Sequence, residues 1–188
     1  MAHQQRMIQE RTLKMTRNIL FVALMASTMA FPALAGEFTL TSPDIAEGQH
    51  LNNYFVFQGF GCEGGNMAPT LEWSGAPKGT ESFAVTVYDP DAPTGSGWWH
   101  WFAFNIPADI TSLPAGDAIN GVQLTNDYGT EGFGGACPPP GKVHRYQFTV
   151  HALSTTLDID NSVSNALAGF MVNANSLASS TITAVYNR

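Results

Sequence analysis

Three strand-length runs, each apolar along one face and polar at one tip, constrain this chain most tightly. In an extended strand successive side chains point to opposite faces, so every second residue shares a side. Over Ser82–Asp89 one face carries Phe83, Val85, Val87 and then Asp89. Over Trp98–Phe104 one face reads Trp98, His100, Phe102, Phe104, and over His144–Ala152 it reads His144, Tyr146, Phe148, Val150, Ala152. Strands of this kind bury their apolar length in a shared core. If they are neighbours, Asp89, His100, His144 and Tyr146 meet at its rim. In a chain only 12% charged, such a gathering marks a candidate small-molecule pocket.

Strand-like runs lie at Phe38–Leu40, Tyr54–Gln58, Thr70–Trp73, Ser82–Tyr88, Trp99–Ile106, Val143–Leu153 and Thr181–Tyr186. Turn signals such as Ser42-Pro43-Asp44 and Pro114-Ala115-Gly116-Asp117 separate them. Short strands at that spacing predict a mostly β domain, a two-sheet β-sandwich with one or two peripheral helices. A helix is predicted over Ser162–Asn173, capped by Asp160 or Asn161 and burying Val163, Leu167, Phe170 and Met171. Two glycine-rich loops, 58–69 and 128–142, are the irregular parts. Trp73, Trp99 and Trp101 are predicted in the core.

Residues 1–35 read as a signal peptide rather than as fold. Lys14 and Arg17 precede the apolar run Ile19–Ala30, and Phe31-Pro32-Ala33-Leu34-Ala35 supplies the small-x-small pattern. Cleavage is predicted between Ala35 and Gly36. The apolar run is short for a membrane span, so no transmembrane anchor is expected. The residues before Met15 read as an upstream start or an extension. Export to the periplasm follows, with release beyond it an option, and 36–188 is expected to be a single domain. That domain holds four basic side chains (Lys78, Lys142, Arg145, Arg188) against fourteen acidic ones. Such a surplus argues against nucleic acid or an anionic membrane surface as partner, because both require a basic patch. It leaves room for one anion in a shielded pocket of oriented N–H groups. In an exported domain Cys62 and Cys137 predict a structural disulfide, with free thiols or a redox pair as alternatives; there is no CxxC spacing.

Asp89-Pro90-Asp91-Ala92-Pro93, the tryptophan-rich segment reaching His100, and Gly141-x-x-His144-Arg145-Tyr146 make a specific combination. Together they resemble the two signature blocks of the phosphatidylethanolamine-binding proteins (PEBP), also called Raf kinase inhibitor proteins. Gly61-Cys62-Glu63-Gly64-Gly65-Asn66-Met67-Ala68-Pro69 and Ala136-Cys137-Pro138-Pro139-Pro140-Gly141 resemble the bacterial YbhB/YbcL branch of that family. The resemblance spans about residues 37–188. It implies two β-sheets with peripheral helices and a small pocket that accepts phosphate, acetate or phosphorylated head groups. By position, it implies that Asp89, His100, His144 and Tyr146 line this pocket and that Trp98 stands at its rim. Gly135 falls, on the same resemblance, among loop glycines that donate N–H groups. Asp91 and Pro138 take secondary places in the pocket or its turns. The resemblance also allows a homodimer.

Chemistry assigns the roles. A carboxylate does not attract an anion, so Asp89 is expected to orient one imidazole and favour its protonated form. Asp91 is expected to bond nearby backbone N–H groups in its turn. Protonated His100 or His144, the Tyr146 O–H and loop N–H groups then bind an anion through charge-assisted hydrogen bonds. His50 and His151 lack such company, and His151 falls on the face opposite His144. Two histidines and two aspartates fit a metal by type, but HxH and HExxH spacings are missing; no metal or cofactor is expected. A hydrolase needs an activated nucleophile, and Ser42, Ser82 and Ser96 lack the context of one; no enzyme is expected and no catalytic residue is assigned. The chain is therefore expected to be an exported, non-enzymatic binding protein for phosphorylated or carboxylated ligands. Phosphoethanolamine-like head groups or a phosphorylated partner would supply that chemistry. The alternative is a regulatory protein that inhibits a kinase, protease or host signalling partner through the surface around the pocket.

Overall fold

Apolar alternation fixes the centre of the fold. The computed structural model describes residues 36–116 and 118–188, which fall within one unit. The predicted leader over 1–35, with its cleavage site after Ala35, lies outside the described residues. Gly36 is the first of them and is exposed. No helix among the described residues is long and apolar enough to cross a membrane.

The strands are β1 (Thr39–Thr41), β2 (Gln58–Gly59), β3 (Cys62–Glu63), β4 (Leu71–Ser74), β5 (Ser82–Asp89), β6 (Trp98–Pro107), β7 (Ser112–Leu113), β8 (Val122–Gln123), β9 (His144–Leu153) and β10 (Ser176–Tyr186), with helix α1 (Asn165–Asn175) between the last two. The larger sheet runs β10-β9-β5-β6-β8 and the smaller β1-β4-β7, while β2 and β3 pair by themselves. All these pairings are antiparallel. The mostly β, two-sheet architecture is as predicted.

The main core lies between the two sheets. Leu40, Leu71 and Trp73 of the smaller sheet meet Phe83, Val85, Val87, Phe148, Val150 and Ile182 of the larger. Trp73 and Phe83 contact edge to face, with ring centroids 5.2 Å apart. A second cluster covers the other face of the large sheet. There Ala84, Phe102, Phe104 and Leu153 pack against Ala168 and Val172 of α1.

Strand β6 departs from the simple alternation. Its register with β5 shifts between Val87 and Tyr88 and again between Phe83 and Val85, where Asn105 takes a φ of 55°. Each irregularity inserts residues without partners and resets which face a side chain meets. Trp101 and Ala103 consequently join the main core, while Phe102 and Phe104 turn beneath α1. The prediction that Phe102 and Phe104 share the face of His100 is thus corrected. The bulge moves the apolar side chains, whereas His100 stays with β5 and β9 at the pocket.

Three further corrections concern local structure. Tyr54–Gln58 is no continuous strand: Asn53–Phe55 forms a 3-10 turn capped by the Asn52 side chain, and only 58–59 pair in β2. The helix begins at Asn165 because Ser164 Oγ accepts from Leu167 N, whereas Asp160 accepts from Ser162 N in a local turn. Its buried residues are Ala168 and Val172, while Leu167 and Phe170 are exposed. Strand β10 starts at Ser176, straight after the helix and five residues before the predicted strand.

Candidate binding pocket

Antiparallel order brings three strand ends to one edge. The C-terminal end of β5 pairs with the N-terminal end of β6 through Asp89 and Trp98, and Tyr88 pairs with Gln147 near the start of β9. Asp89, Trp98, His100, His144 and Tyr146 therefore line a single cavity of about 270 Å³. Phe60, Pro93, Thr94, Tyr128, Pro138 and Pro139 complete its walls, so the polar groups sit within a largely apolar enclosure.

The carboxylates of Asp89 and Asp91 couple the turn after β5 to the start of β9. Asp89 Oδ2 lies 2.7 Å from His144 Nδ1, and Asp89 Oδ1 accepts from Asp91 N at 2.8 Å. Both Asp89 and His144 are buried. With Nδ1–H committed to the carboxylate, Nε2 is the nitrogen His144 has for a ligand. Asp91 does not serve its own turn as predicted. Its carboxylate reaches across to Arg145, accepting from backbone N (2.9 Å), Nε (2.8 Å) and Nη2 (2.8 Å). The Asp91 carboxyl is held down to about 2, chiefly by the Arg145 side-chain hydrogen bond. The turn bond falls to Asp89 instead, which carries both roles.

His100 is held by Gly134 from two sides. Its Nδ1 lies 2.7 Å from Gly134 O, and its own carbonyl accepts from Gly134 N at 2.7 Å. A Cβ on Gly134 would stand 2.5 Å from Tyr128 Cδ2, so glycine permits this close approach. Burial pushes the pKa of His100 down against the opposing influence of Gly134, Asp89 and Asp127. Burial and the nearby Asp89 charge push that of Tyr146 up, keeping its O–H as a donor. Tyr146 Oη and Trp98 Nε1 are buried without a hydrogen-bond partner.

Gly135 does not offer its N–H to the cavity. That group donates to Asn66 Oδ1 at 2.7 Å, which holds the Gly-rich segment 58–69 against 128–142. Cys62 and Cys137 join the same two loops in the predicted disulfide, with Cα atoms 6.0 Å apart. Arg188 adds bonds from Nε to Pro138 O (2.7 Å) and from Nη1 to Gly61 O (2.9 Å). Pro138 lies on the pocket wall. Among the described residues no three His, Cys, Asp or Glu side chains group as a metal set.

Tyr128 is the main lining residue that strand reasoning missed. It stacks on Phe57 with centroids 3.8 Å apart and meets His100 edge-on at 5.5 Å. Its loop is shaped by Asn126, whose Oδ1 accepts from the backbone N–H groups of Tyr128 and Thr130. An Asn two residues before an aromatic was the available signal. His151 lies on the opposite face as predicted, beside Thr86 at 3.4 Å.

Comparison with known proteins agrees with this fold. The family model described as phosphatidylethanolamine-binding protein matches residues 41–187. UPF0098 protein YbcL of Escherichia coli is 53% identical over 178 residues, covering 89% of this chain and 97% of that protein. UPF0098 protein YbhB of the same organism is 49% identical over 158 residues, covering 79% and 99%. The crystal structure of E. coli YbcL, described as a new member of the mammalian PEBP family, superposes with a TM-score of 0.78 at 55% identity, covering 81% of this chain and 99% of that one. A putative homolog from Chlamydia trachomatis, CT736, gives a TM-score of 0.72 at 26% identity, covering 81% and 98%.

Proposed function

The chain belongs to the phosphatidylethanolamine-binding protein family, and from that premise we propose that its pocket receives a small phosphorylated or carboxylated anion without chemically changing it. The observation that carries this reading is the pair of unpartnered buried donors, Tyr146 Oη and Trp98 Nε1, on one cavity. A buried donor left unpaired costs about 1–3 kcal/mol, which an acceptor on a ligand recovers. An anion oxygen is such an acceptor. His144 in its imidazolium form donates Nε2–H to the same ligand while Asp89 balances its charge.

Binding without turnover is supported by the state of the nearby threonine hydroxyl and of Cys137. Thr94 Oγ1 donates to Gly97 O, and Cys137 is in the disulfide. Neither is paired with a base. We place the protein in the periplasm on the basic-then-apolar leader and on a disulfide of the kind an oxidising compartment maintains. N-terminal sequencing of protein recovered from a periplasmic fraction should begin at Gly36.

Calorimetric titration of inorganic phosphate into the wild type and His144→Ala tests the pocket. Binding by the wild type that weakens at least about tenfold in the variant is expected, the worth of one charge-assisted hydrogen bond. Equal weak heats for both proteins would overturn the reading.

A regulatory partner is the second reading, and Phe60 favours it. This aromatic stands at the pocket wall yet is 70% exposed, a placement suited to a protein that inserts an anionic side chain. A phosphopeptide should then bind more tightly than free phosphate, and Phe60→Ser should remove that advantage alone.

A further inference from the structure

The outer face of the large sheet holds a second cavity. Period-two alternation sends Tyr146, Phe148 and Val150 of β9 into the main core and Gln147, Thr149 and His151 to the other side. On that side α1 packs over Ala84, Phe102, Phe104 and Leu153, and beside it a hollow of about 150 Å³ remains. It shares no lining residue with the pocket of Asp89, His100 and His144.

The hollow has an aromatic wall and a polar floor. Trp99 contacts both Tyr88 and Phe102, with ring centroids 4.6 and 5.2 Å away. Gln147, Thr149 and His151 form the floor, and Asn173 of α1 stands at the lip. The side-chain amides of Gln147 and Asn173 make no hydrogen bond to a described residue, and neither does His151 Nδ1. Each amide offers donors and an acceptor, and a neutral imidazole adds one of each. Burial favours that neutral ring, with the His151 pKa lowered to about 4. Neither a carboxylate nor a Lys or Arg side chain lines the space. A charged ligand would therefore enter it without a counter-charge.

Gly169 keeps the hollow open. Glycine weakens a helix interior, and here neither backbone nor crowding calls for it. Its φ lies outside the left-handed region. A Cβ would meet nothing nearer than 3.9 Å, at Phe102 Cε2 and Trp99 Cη2, which is ordinary contact. Any larger residue would instead lie over those two rings. The bare Cα leaves the aromatic wall accessible at a cost to the helix.

We propose that this hollow binds a single uncharged ring rich in hydroxyls, a monosaccharide or cyclic polyol. The C–H groups of such a ring rest against the aromatic wall, whose ring faces are electron-rich. Its hydroxyls, each both donor and acceptor, pair with Gln147, His151 and Asn173. Larger ligands occupy sites of roughly 300 Å³ and above, so this space suits one ring and not a chain.

NMR titration of the ¹⁵N-labelled protein with D-glucose, D-galactose and myo-inositol tests the site. At least one is expected to shift the side-chain amide signals of Gln147 and Asn173 and the indole signal of Trp99 saturably, in the millimolar range. Glucuronate, glucosamine and cyclohexanol should bind at least about tenfold more weakly, the first two for their charge and the third for want of hydroxyls. A methyl glycoside that binds as well as its parent sugar identifies the end of a glycan as the source, and one that fails identifies a free sugar; both support the proposal. Gln147→Ala should weaken binding about tenfold. Gly169→Ala should melt about 2–4 °C higher and yet bind more weakly. No saturable shift from any of the three ligands, equal binding of cyclohexanol, or wild-type affinity in both variants overturns the proposal.

Discussion

Asp89 Oδ2 lies 2.7 Å from His144 Nδ1, joining the last residue of β5 to the first residue of β9 inside the buried pocket floor. The carboxylate's other oxygen holds the Asp91 N–H. Asp89→Ala leaves a buried imidazole and an amide without their acceptor, so a loss of about 3–5 kcal/mol is expected in urea denaturation. Asp89→Asn keeps one acceptor and should cost about 1–3 kcal/mol. In the Asn variant His144 is free to choose its tautomer, and phosphate affinity should fall about tenfold or more. Tighter binding in Asp89→Asn would mean that Asp89 acts on the ligand mainly as a repelling charge.

The Asp91–Arg145 pair has good geometry in an exposed place. The guanidinium is 55% exposed and the carboxylate 29%. Because the folded pKa of Asp91 is lowered from 3.8 to about 2, the pair's stabilisation is complete above 3.8 and lost as pH falls towards 2. Solvent screening keeps its contribution small. NMR titration should find Asp91 displaced upward in Arg145→Ala, with only a small change in melting temperature at neutral pH.

His151 sets a separate acid limit. Burial lowers its pKa from 6.5 to about 4, so the unfolded chain binds its proton first as the solution is acidified. Stability is complete above 6.5 and declines as pH falls to 4, by at most about 3 kcal/mol from this residue. The buried His100 ring shifts the same way and adds to the loss. Urea melts of wild type and His151→Gln at neutral and mildly acid pH should show a shallower decline in the variant. Parallel declines would assign the acid sensitivity elsewhere.

Strands β5 and β9 were readable because their alternation is unbroken where it matters. Period two places Asp89 beyond Val87 and His144 beside Tyr146, and the structure keeps those faces. Strand β6 was not, since its bulges have no counterpart in the apolar pattern and exchange the sides of Trp101 and Phe102. Loop contributions depended on long-range pairing. Gly135 looked like a free donor until Asn66, 69 residues away, took its N–H. Tyr128 reaches the pocket through a turn built by Asn126, which no strand periodicity encodes.

Cys62 and Cys137 close a loop with a sequence separation of 75. In the chain-entropy model removing that link costs about 4 kcal/mol. Asn66, Arg188 and the Phe57–Tyr128 stack still hold the two loops together, so Cys62→Ala with Cys137→Ala should fold but melt earlier. Dithiothreitol should lower the wild-type melting temperature to that of the double variant and leave the variant unchanged. Phosphate binding should weaken with it, because Cys137, Pro138 and Pro139 form one wall of the cavity.

Tyr146→Phe separates a binding role from a structural one by the sign of its effect. The ring is 1% exposed and meets His100 edge-on at 5.1 Å, while its hydroxyl has no partner. Phenylalanine preserves the packing and removes an unsatisfied group, so the ligand-free protein should gain about 1 kcal/mol. The same change removes a donor from the anion, and phosphate affinity should drop about tenfold. Thermal melts without ligand and calorimetry with it read the two effects independently. A variant that is less stable without ligand and binds phosphate as well as the wild type would make Tyr146 a packing residue, with its hydroxyl outside the binding chemistry.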